Sequence, residues 1–194
     1  MDSFETAKKI AALVETAGGT TYFVGGYVRD LVMGRDNDDI DIEIHGIAPD
    51  MLESILDSVG ERIEIGKSFG IYSLKGCSLD IAMPRTETAT GTGHRDFKVF
   101  VDPYLGPVKA AERRDFTINA LMQNVLSGEI TDPFGGIEDI RKGIIRHINP
   151  LKFAEDPLRV MRAAQFSARL GFADRKSTRL NSSHNVASRM PSSA

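Results

Sequence analysis

The chain has no tryptophan, a single cysteine, no excess of basic residues and no long apolar run. The lone cysteine, Cys77, excludes an internal disulfide and fits a reducing, cytoplasmic setting. It lies between Gly76 and Ser78 with no histidine nearby, so it reads as an ordinary thiol and not as a nucleophile. No stretch approaches the roughly 20 apolar residues that cross a bilayer, so no membrane partner is expected. The N-terminus, Met-Asp-Ser-Phe-Glu, carries acids where a secretory signal has an apolar core. Basic residues number 24 against 27 acidic ones, for a net charge of −3. Without Asp174, Arg175, Lys176, Arg179 and Arg189 the counts are 20 and 26, a net of −6 over residues 1–173. A domain that grips nucleic acid unaided is usually basic. A nucleic-acid partner would therefore be held mainly by another module or by a local patch. His45, His94, His147 and His184 are scattered, without metal-ligand spacing.

What is present suits a globular protein. The 194 residues are 41% hydrophobic, enough for one domain or one and a half. Phe4, Ala7, Ile10, Ala11, Val14 and Ala17 follow helical spacing, and Gly18-Gly19 stops the helix. Thr20–Val24 reads as a strand, and Val28–Met33 as a short helix closed by Gly34. Ile40, Ile42 and Ile44 alternate with Asp39, Asp41 and Glu43, which predicts a half-buried strand with an acidic outer face. Pro49 opens a helix to about Val59. Arg62–Ile65, Gly70–Lys75 and Ser78–Met83 read as strands, the last two a hairpin around Gly76. Polar Pro84–Asp96 reads as a mobile loop before a strand at Lys98–Val101. Pro107–Val125 reads as helical, Ile130-Thr131 as a short strand, Ile137–Lys142 as a helical turn and Ile144–Ile148 as a strand. Asp156-Pro157 starts a last helix that Gly171 ends. The fold class expected is mixed α/β (α+β) over residues 1–149, followed by a helix within 150–173 that begins a second, helical region.

From Arg175 the composition changes. Six of the last twenty residues are serine and no apolar stripe is present, so residues 174–194 are expected to be disordered. They read as non-native, from vector or adapter read-through or a frameshift, with the native gene continuing beyond Phe172. The alternative is a natural flexible tail.

The chemistry concentrates between Gly25 and Ile44. Residues i and i+2 of a strand point the same way, about 6.6 Å apart. Asp39 and Asp41 can therefore reach one cation or a close pair. Magnesium takes hard oxygen ligands and keeps substrate phosphates in its shell, and two metals about 3.5–4 Å apart suit in-line displacement at phosphorus. An Asp-x-Asp strand alone is more often a solvated edge. The Gly25-Gly26 pair upstream alters that balance, because it offers backbone N–H groups to a triphosphate just before the carboxylates. Asp38, on the opposite face, and Glu43, one pleat further on, are weaker metal candidates. Asp80 is a further acid near the same place.

Arginine binds two phosphate oxygens at once. Arg29 follows the glycine pair by three residues, and Arg113-Arg114-Asp115 sets two guanidiniums beside a carboxylate. Asp156, Arg159 and Arg162 share one helix face. There a carboxylate beside a guanidinium can read the edge of a base. The alternative for both groups is a charged surface helix held by internal ion pairs. Asp132-Pro-Phe-Gly-Gly is most simply a turn.

Together these motifs resemble the class II tRNA nucleotidyltransferase and bacterial poly(A) polymerase family, within the DNA polymerase beta superfamily. The carriers are Gly25-Gly26-x-Val-Arg29-Asp30, Gly34-Arg35 with Asp39-x-Asp41, Arg113-Arg114-Asp115-Phe-Thr-Ile-Asn119-Ala, Asp132-Pro-Phe-Gly-Gly and Glu155-Asp156-Pro-Leu-Arg159-Val-Met-Arg162. The matching text runs from Tyr22 to Phe172. The resemblance implies a nucleotidyltransferase head with a mixed sheet flanked by helices, followed by the first helix of an α-helical neck. It implies that Asp39 and Asp41 carry catalytic magnesium ions and that Gly26 and Arg29 bind the triphosphate, with Arg114 at the nucleotide. Asp156 and Arg159 would select CTP or ATP, with Arg162 assisting. Arg85 to Phe97 would be the flexible loop that helps switch between C and A addition. The implied reaction adds C and A to the 3′ end of tRNA from CTP and ATP. A poly(A) polymerase or a CC- or A-adding enzyme is the alternative within the family, and a non-catalytic nucleotide-binding module the alternative outside it. Gln165 departs from the pattern, since many relatives carry arginine there.

Overall fold

The structure is a computed structural model, and it describes residues 2–66, 70–89, 97–150, 153 and 157–174. Helix α1 (Ser3–Thr16) begins where the Asp2 side chain accepts the Glu5 N–H at 2.9 Å. Strand β1 (Thr20–Val24) follows, then α2 (Gly26–Val32), β2 (Ile40–His45) and α3 (Pro49–Val59), which has proline at its start. Strands β3 (Arg62–Gly66), β4 (Ile71–Leu74) and β5 (Leu79–Ala82) come next, with β4 and β5 a hairpin. After them come β6 (Arg85–Ala89), β7 (Phe97–Val101), α4 (Pro107–Ala111), β8 (Met122–Asn124) and β9 (Ile130–Thr131). The chain continues through α5 (Gly136–Lys142), β10 (Ile144–Ile145), α6 (Pro157–Leu170) and β11 (Ala173–Asp174).

Seven strands form a mixed sheet in the order β3-β4-β5-β2-β1-β8-β9. Within it β2 pairs β1 antiparallel and β5 parallel. This register sorts the residues by face. Partners Phe23 and Ile42 belong to one face, with Ile40 and Ile44. They pack against Ala7, Ile10, Ala11 and Val14 of α1 and against Leu52, Ile55 and Leu56 of α3. The alternate residues, Tyr22 and Val24 on β1 with Asp41 and Glu43 on β2, share the second face. That face is not the solvent-facing acidic edge expected. Val24 packs with Ala111, Ala120 and Met122, and Glu43 is 0% exposed.

Two expectations fail for tertiary reasons. The helix expected over Pro107–Val125 stops at Ala111. From there the backbone pairs with residues 146–148 instead of with itself: Thr117 N–H donates to Arg146 O at 2.9 Å and Ile148 N–H to Asp115 O at 3.2 Å. A 3-10 turn at Thr117–Asn119 then leads into β8, which extends the sheet beside β1. The loop expected over Pro84–Asp96 begins as strand β6, paired antiparallel with β7 from Arg85–Val101 to Ala89–Phe97. Residues 90–96 and the tail beyond Asp174 lie outside the described residues. Among the described residues no helix is long and apolar enough to cross a membrane.

Helix α6 docks through a third cluster, in which Phe116, Ile118 and Ile145 meet Ala163 and Leu170. Gly136 pins the 117–119 turn to α5. A Cβ there would sit 2.3 Å from Thr117 O, a backbone atom that cannot swing aside. Gly136→Ala is expected to cost about 2–3 kcal/mol through overpacking, lowering the melting temperature by roughly 5–10 °C. Thermal unfolding by circular dichroism checks this; an unchanged melting temperature would show that the contact is not close.

Candidate active site

Asp41 stands at the centre of the second sheet face. It is opposite Val24 on β1 and Asp80 on β5. Asp39 lies just ahead of β2 and is fixed by its N–H, which donates to Asn37 Oδ1 at 2.9 Å. Gly25 takes the chain from β1 into α2 with φ 69°, a conformation that favours glycine. A Cβ on Gly25 would lie 3.5 Å from Asp41 Oδ2 and 3.4 Å from Arg114 Nη1. The missing side chain keeps the approach to the carboxylate open.

These residues border a cavity of about 780 Å³. Its lining includes Gly25, Gly26, Arg29, Asp39, Asp41, Arg113, Arg114, Asp115, Arg159, Arg162 and Arg169. All the site residues read from the sequence meet here except Asp156, which lies outside the described residues. A smaller cavity of about 190 Å³ adjoins it and shares Asp41, Arg113 and Arg114, adding Asp80 and Arg85. Asp80 is thus close to Asp41 but exposed. Asp38 lines neither cavity.

The Asp41 carboxyl is pushed up to about 6, first by burial, then by the negative charges of Asp39 and Asp80, while Arg114 pulls it down. Burial and the two neighbouring aspartates together outweigh the pull of Arg114 at this one carboxyl. Among the described residues no three His, Cys, Asp or Glu side chains close a metal cage. Hard oxygen donors in an open site, facing a cavity, fit a divalent cation that keeps substrate oxygens among its ligands.

Glu43 has a different job. One of its oxygens accepts from His45 Nε2 at 3.0 Å, the other from Arg113 Nη2 at 3.1 Å and Arg114 Nη2 at 3.5 Å. Burial alone would raise its pKa, but the His45 bond and then the Arg114 and Arg113 charges hold it at about 2. It is an internal anchor and not the weak metal ligand that its place on the strand suggested. Only the period-2 pattern hints at this residue, because its two arginine partners come from 70 and 71 residues away.

A polar chain runs from the carboxylates to the last helix. Asn37 Nδ2 donates to Asp30 Oδ2 at 2.7 Å. Asp30 holds Arg29 by two bonds of 2.9 and 2.8 Å, and Arg29 Nη1 donates to Asn119 Oδ1 at 2.9 Å. Asn119 Nδ2 donates to Asp115 Oδ1 at 3.2 Å, and Arg162 Nε to Asp115 Oδ2 at 2.7 Å. The Phe166 ring lies 5.4 Å from the Arg29 guanidinium and 5.5 Å from that of Arg162. Arg159 Nη2 donates to Arg113 O at 3.3 Å. Gln165 is exposed and lines neither of these two cavities, whereas Arg169 lines the larger. Asp30 is part of the glycine-turn motif but carries no role in the sequence reading, and Asn37, Phe166 and Arg169 are not singled out there; helical spacing from Arg159 and Arg162 is the available signal for the last two.

The mixed sheet, glycine turn and carboxylate strand define a nucleotidyltransferase head. The family description Poly A polymerase head domain matches residues 21–146, and the chain belongs to that family. It is 40% identical over 150 residues to the Multifunctional CCA protein of Xylella fastidiosa (strain M23), covering 77% of this chain and 35% of that protein. It is also 40% identical over 152 residues to the Multifunctional CCA protein of Nitrosospira multiformis, covering 78% and 35%. The chain thus spans about a third of the length of these relatives. Among solved structures, the Bacillus stearothermophilus CCA-adding enzyme in complex with CTP superposes with a TM-score of 0.74 at 34% identity, covering 92% of this chain and 42% of that one. A CCA-adding enzyme with ATP gives a TM-score of 0.71 at 31% identity, covering 90% and 39%.

The raised Asp41 pKa has a sign that can be tested. Below its ordinary value of 3.8 the group is protonated in folded and unfolded chains alike and has no effect. As pH rises through 6 the folded protein ionises it at a cost, and stability is lost. In metal-free buffer, Asp41→Asn is expected to stabilise the protein at pH 8 by about 1–2 kcal/mol once partial exposure is discounted. That gain should vanish by pH 4. Calorimetry at both pH values checks it; a gain that is absent, or equal at both, contradicts the charge crowding.

Proposed function

We propose that this chain is the catalytic head of an enzyme that adds C and A nucleotides to the 3′ end of tRNA, using CTP, ATP and magnesium. One observation carries the reading: Asp39 and Asp41, suited to phosphoryl chemistry, share a single cavity with Arg159 and Arg162, suited to a base edge. The relatives named as CCA proteins and the CTP- and ATP-bound CCA-adding enzymes support it.

In this reading residues 1–149 are the head and 150–173 begin the helical, RNA-holding region; the non-native tail expected from 174 starts after Asp174, which belongs to β11 and pairs with Ile145. Magnesium held by Asp39 and Asp41 would neutralise triphosphate charge and make the RNA 3′ hydroxyl a better nucleophile. A new oxygen–phosphorus bond forms at the α-phosphate, the bond to the β-phosphate bridge breaks, and pyrophosphate leaves. The nucleophile belongs to the RNA, so no covalent enzyme intermediate is needed. Gly26 leaves room for the triphosphate. Arg29 has spent three of its five donors on Asp30 and Asn119, which leaves two for phosphate. Arg114, beside Asp41, stands at the nucleotide. Asp156 and Arg159 read the base, and Arg162 assists by fixing Asp115. Residues 85–97 serve C-to-A switching from a strand that starts at Arg85. Catalysis is positioning and charge neutralisation.

Poly(A) addition is the second reading, favoured by the description of the matched family. Product length separates the two: three nucleotides on tRNA, or a long tail on generic RNA. In a longer protein that includes this head, Asp39→Ala or Asp41→Ala should cut radiolabelled CTP and ATP incorporation into tRNA lacking CCA by at least about 100-fold. Wild-type incorporation by Asp41→Ala would remove the metal assignment. Arg159→Ala should relax discrimination against UTP and GTP by about tenfold or more, read from single-nucleotide competition; unchanged discrimination would move base reading elsewhere.

A further inference from the structure

We propose that Glu43 is a positioning residue that holds Arg114 away from Asp41 and so keeps the carboxylate face open to a divalent cation. The inference rests on the reading of Asp39 and Asp41 as a cation site.

Glu43 follows Asp41 by two residues and shares its side of β2. Position alone would make it a third metal ligand, but its environment forbids that. It is 0% exposed, and both oxygens are taken, by His45 on one side and by Arg113 and Arg114 on the other. Arg114 has its second hold at Asn119, where Nη1 donates to the backbone oxygen at 3.4 Å. That same Nη1 and Asp41 Oδ2 flank one point in space, the place of the absent Gly25 side chain, at 3.4 and 3.5 Å. Among the described residues no ion pair joins Arg114 to Asp41, although both line the same cavity.

Arg114 therefore stands between two carboxylates. Glu43 is dry and fixed, so its attraction is little weakened by solvent. Asp41 is wetter, crowded by Asp39 and Asp80, and in need of a positive partner. Glu43 wins Arg114 only while it is charged and in place. Without it, Arg113 and Arg114 would lose their shared anion, repel each other, and find Asp41 as the nearest replacement on this face. A guanidinium on Asp41 occupies the oxygen lone pairs that a metal ion needs. Thus Glu43 would act on the metal site without touching it.

The test is a manganese(II) titration of this chain followed by electron paramagnetic resonance, with circular dichroism to establish folding. Glu43→Gln should bind manganese about tenfold more weakly than wild type. Adding Arg114→Ala should reverse that loss, so that Glu43→Gln/Arg114→Ala binds within about twofold of Arg114→Ala alone. A merely structural Glu43 would give the opposite, a deficit that persists or deepens in the double variant. If Glu43→Gln does not fold, Glu43→Asp takes its place. Its carboxylate is withdrawn by one methylene, and it should bind about threefold more weakly, again reversed by Arg114→Ala. Manganese affinity equal to wild type in the folded Glu43 variant, or no reversal by Arg114→Ala, overturns the proposal. A wild-type chain that takes up no manganese overturns the cation-site reading along with it.

Discussion

Arg29 is a cation with only 3% of its surface exposed, and the site is arranged around the need to satisfy it. A buried guanidinium is tolerable only with an anion and enough acceptors around it. Asp30 supplies the anion from the next residue, and Asn119 supplies an acceptor from 90 residues away. Those two bonds tie the helix after the glycine turn to the 115–119 segment. Asn37 extends the tie to Asp39, and Asp115 extends it to Arg162. The carboxylates and the last helix are thus two ends of one hydrogen-bonded chain. Removing one partner from such a pair typically costs about 3–5 kcal/mol. A phosphate-binding arginine elsewhere is often a free arm. Arg29, proposed to bind phosphate, is part of the frame, so most of its orientation is fixed by Asp30 and Asn119.

The sheet divides labour by strand periodicity. Ile40, Ile42 and Ile44 give one face to α1 and α3, and that apolar packing makes β2 rigid. Asp41 and Glu43 fall on the other face by the same alternation. Asp41 opens on the cavities, while Glu43, one pleat along, is sealed under Arg113 and Arg114. Two carboxylates only two residues apart therefore shift in opposite directions, one pushed up to about 6 and the other held at about 2. The difference is not intrinsic to the side chains. Burial raises both; at Asp41 the neighbouring aspartates add to it, while at Glu43 the His45 hydrogen bond and then the two arginines overcome it.

This contrast also marks what a sequence can and cannot disclose. Helix α1, strands β1 and β2 and helix α3 were legible, because each has a clean apolar period and a glycine or proline at its boundary. The glycine turn and Asp39-x-Asp41 were legible as local text. The Pro107–Val125 segment misled, because its alanine and leucine content suits a helix while its backbone is drawn into pairing with 146–148 and with β1. Strand β6 reads as loop in the sequence because threonine and glutamate are polar; it exists through pairing with β7. Glu43 was read as a surface acid or weak ligand because nothing in IDIEIH tells which strand face will be covered. Contacts between segments 70 or 90 residues apart leave no local trace.

The overall charge of −3 pointed away from nucleic acid, yet the cavity reverses that sign. Six arginines, 29, 113, 114, 159, 162 and 169, line it against three aspartates, 39, 41 and 115. Screening makes the reversal effective: beyond about 8–10 Å at physiological salt the acidic exterior contributes little, so a ligand inside feels mainly the lining. Among the described residues Arg169 is the lining arginine with no hydrogen-bond or ion-pair partner. The other five are held by Glu43, Asp30, Asn119, Asp115 or a backbone oxygen. Such an arrangement suits a compact polyanion better than a long one.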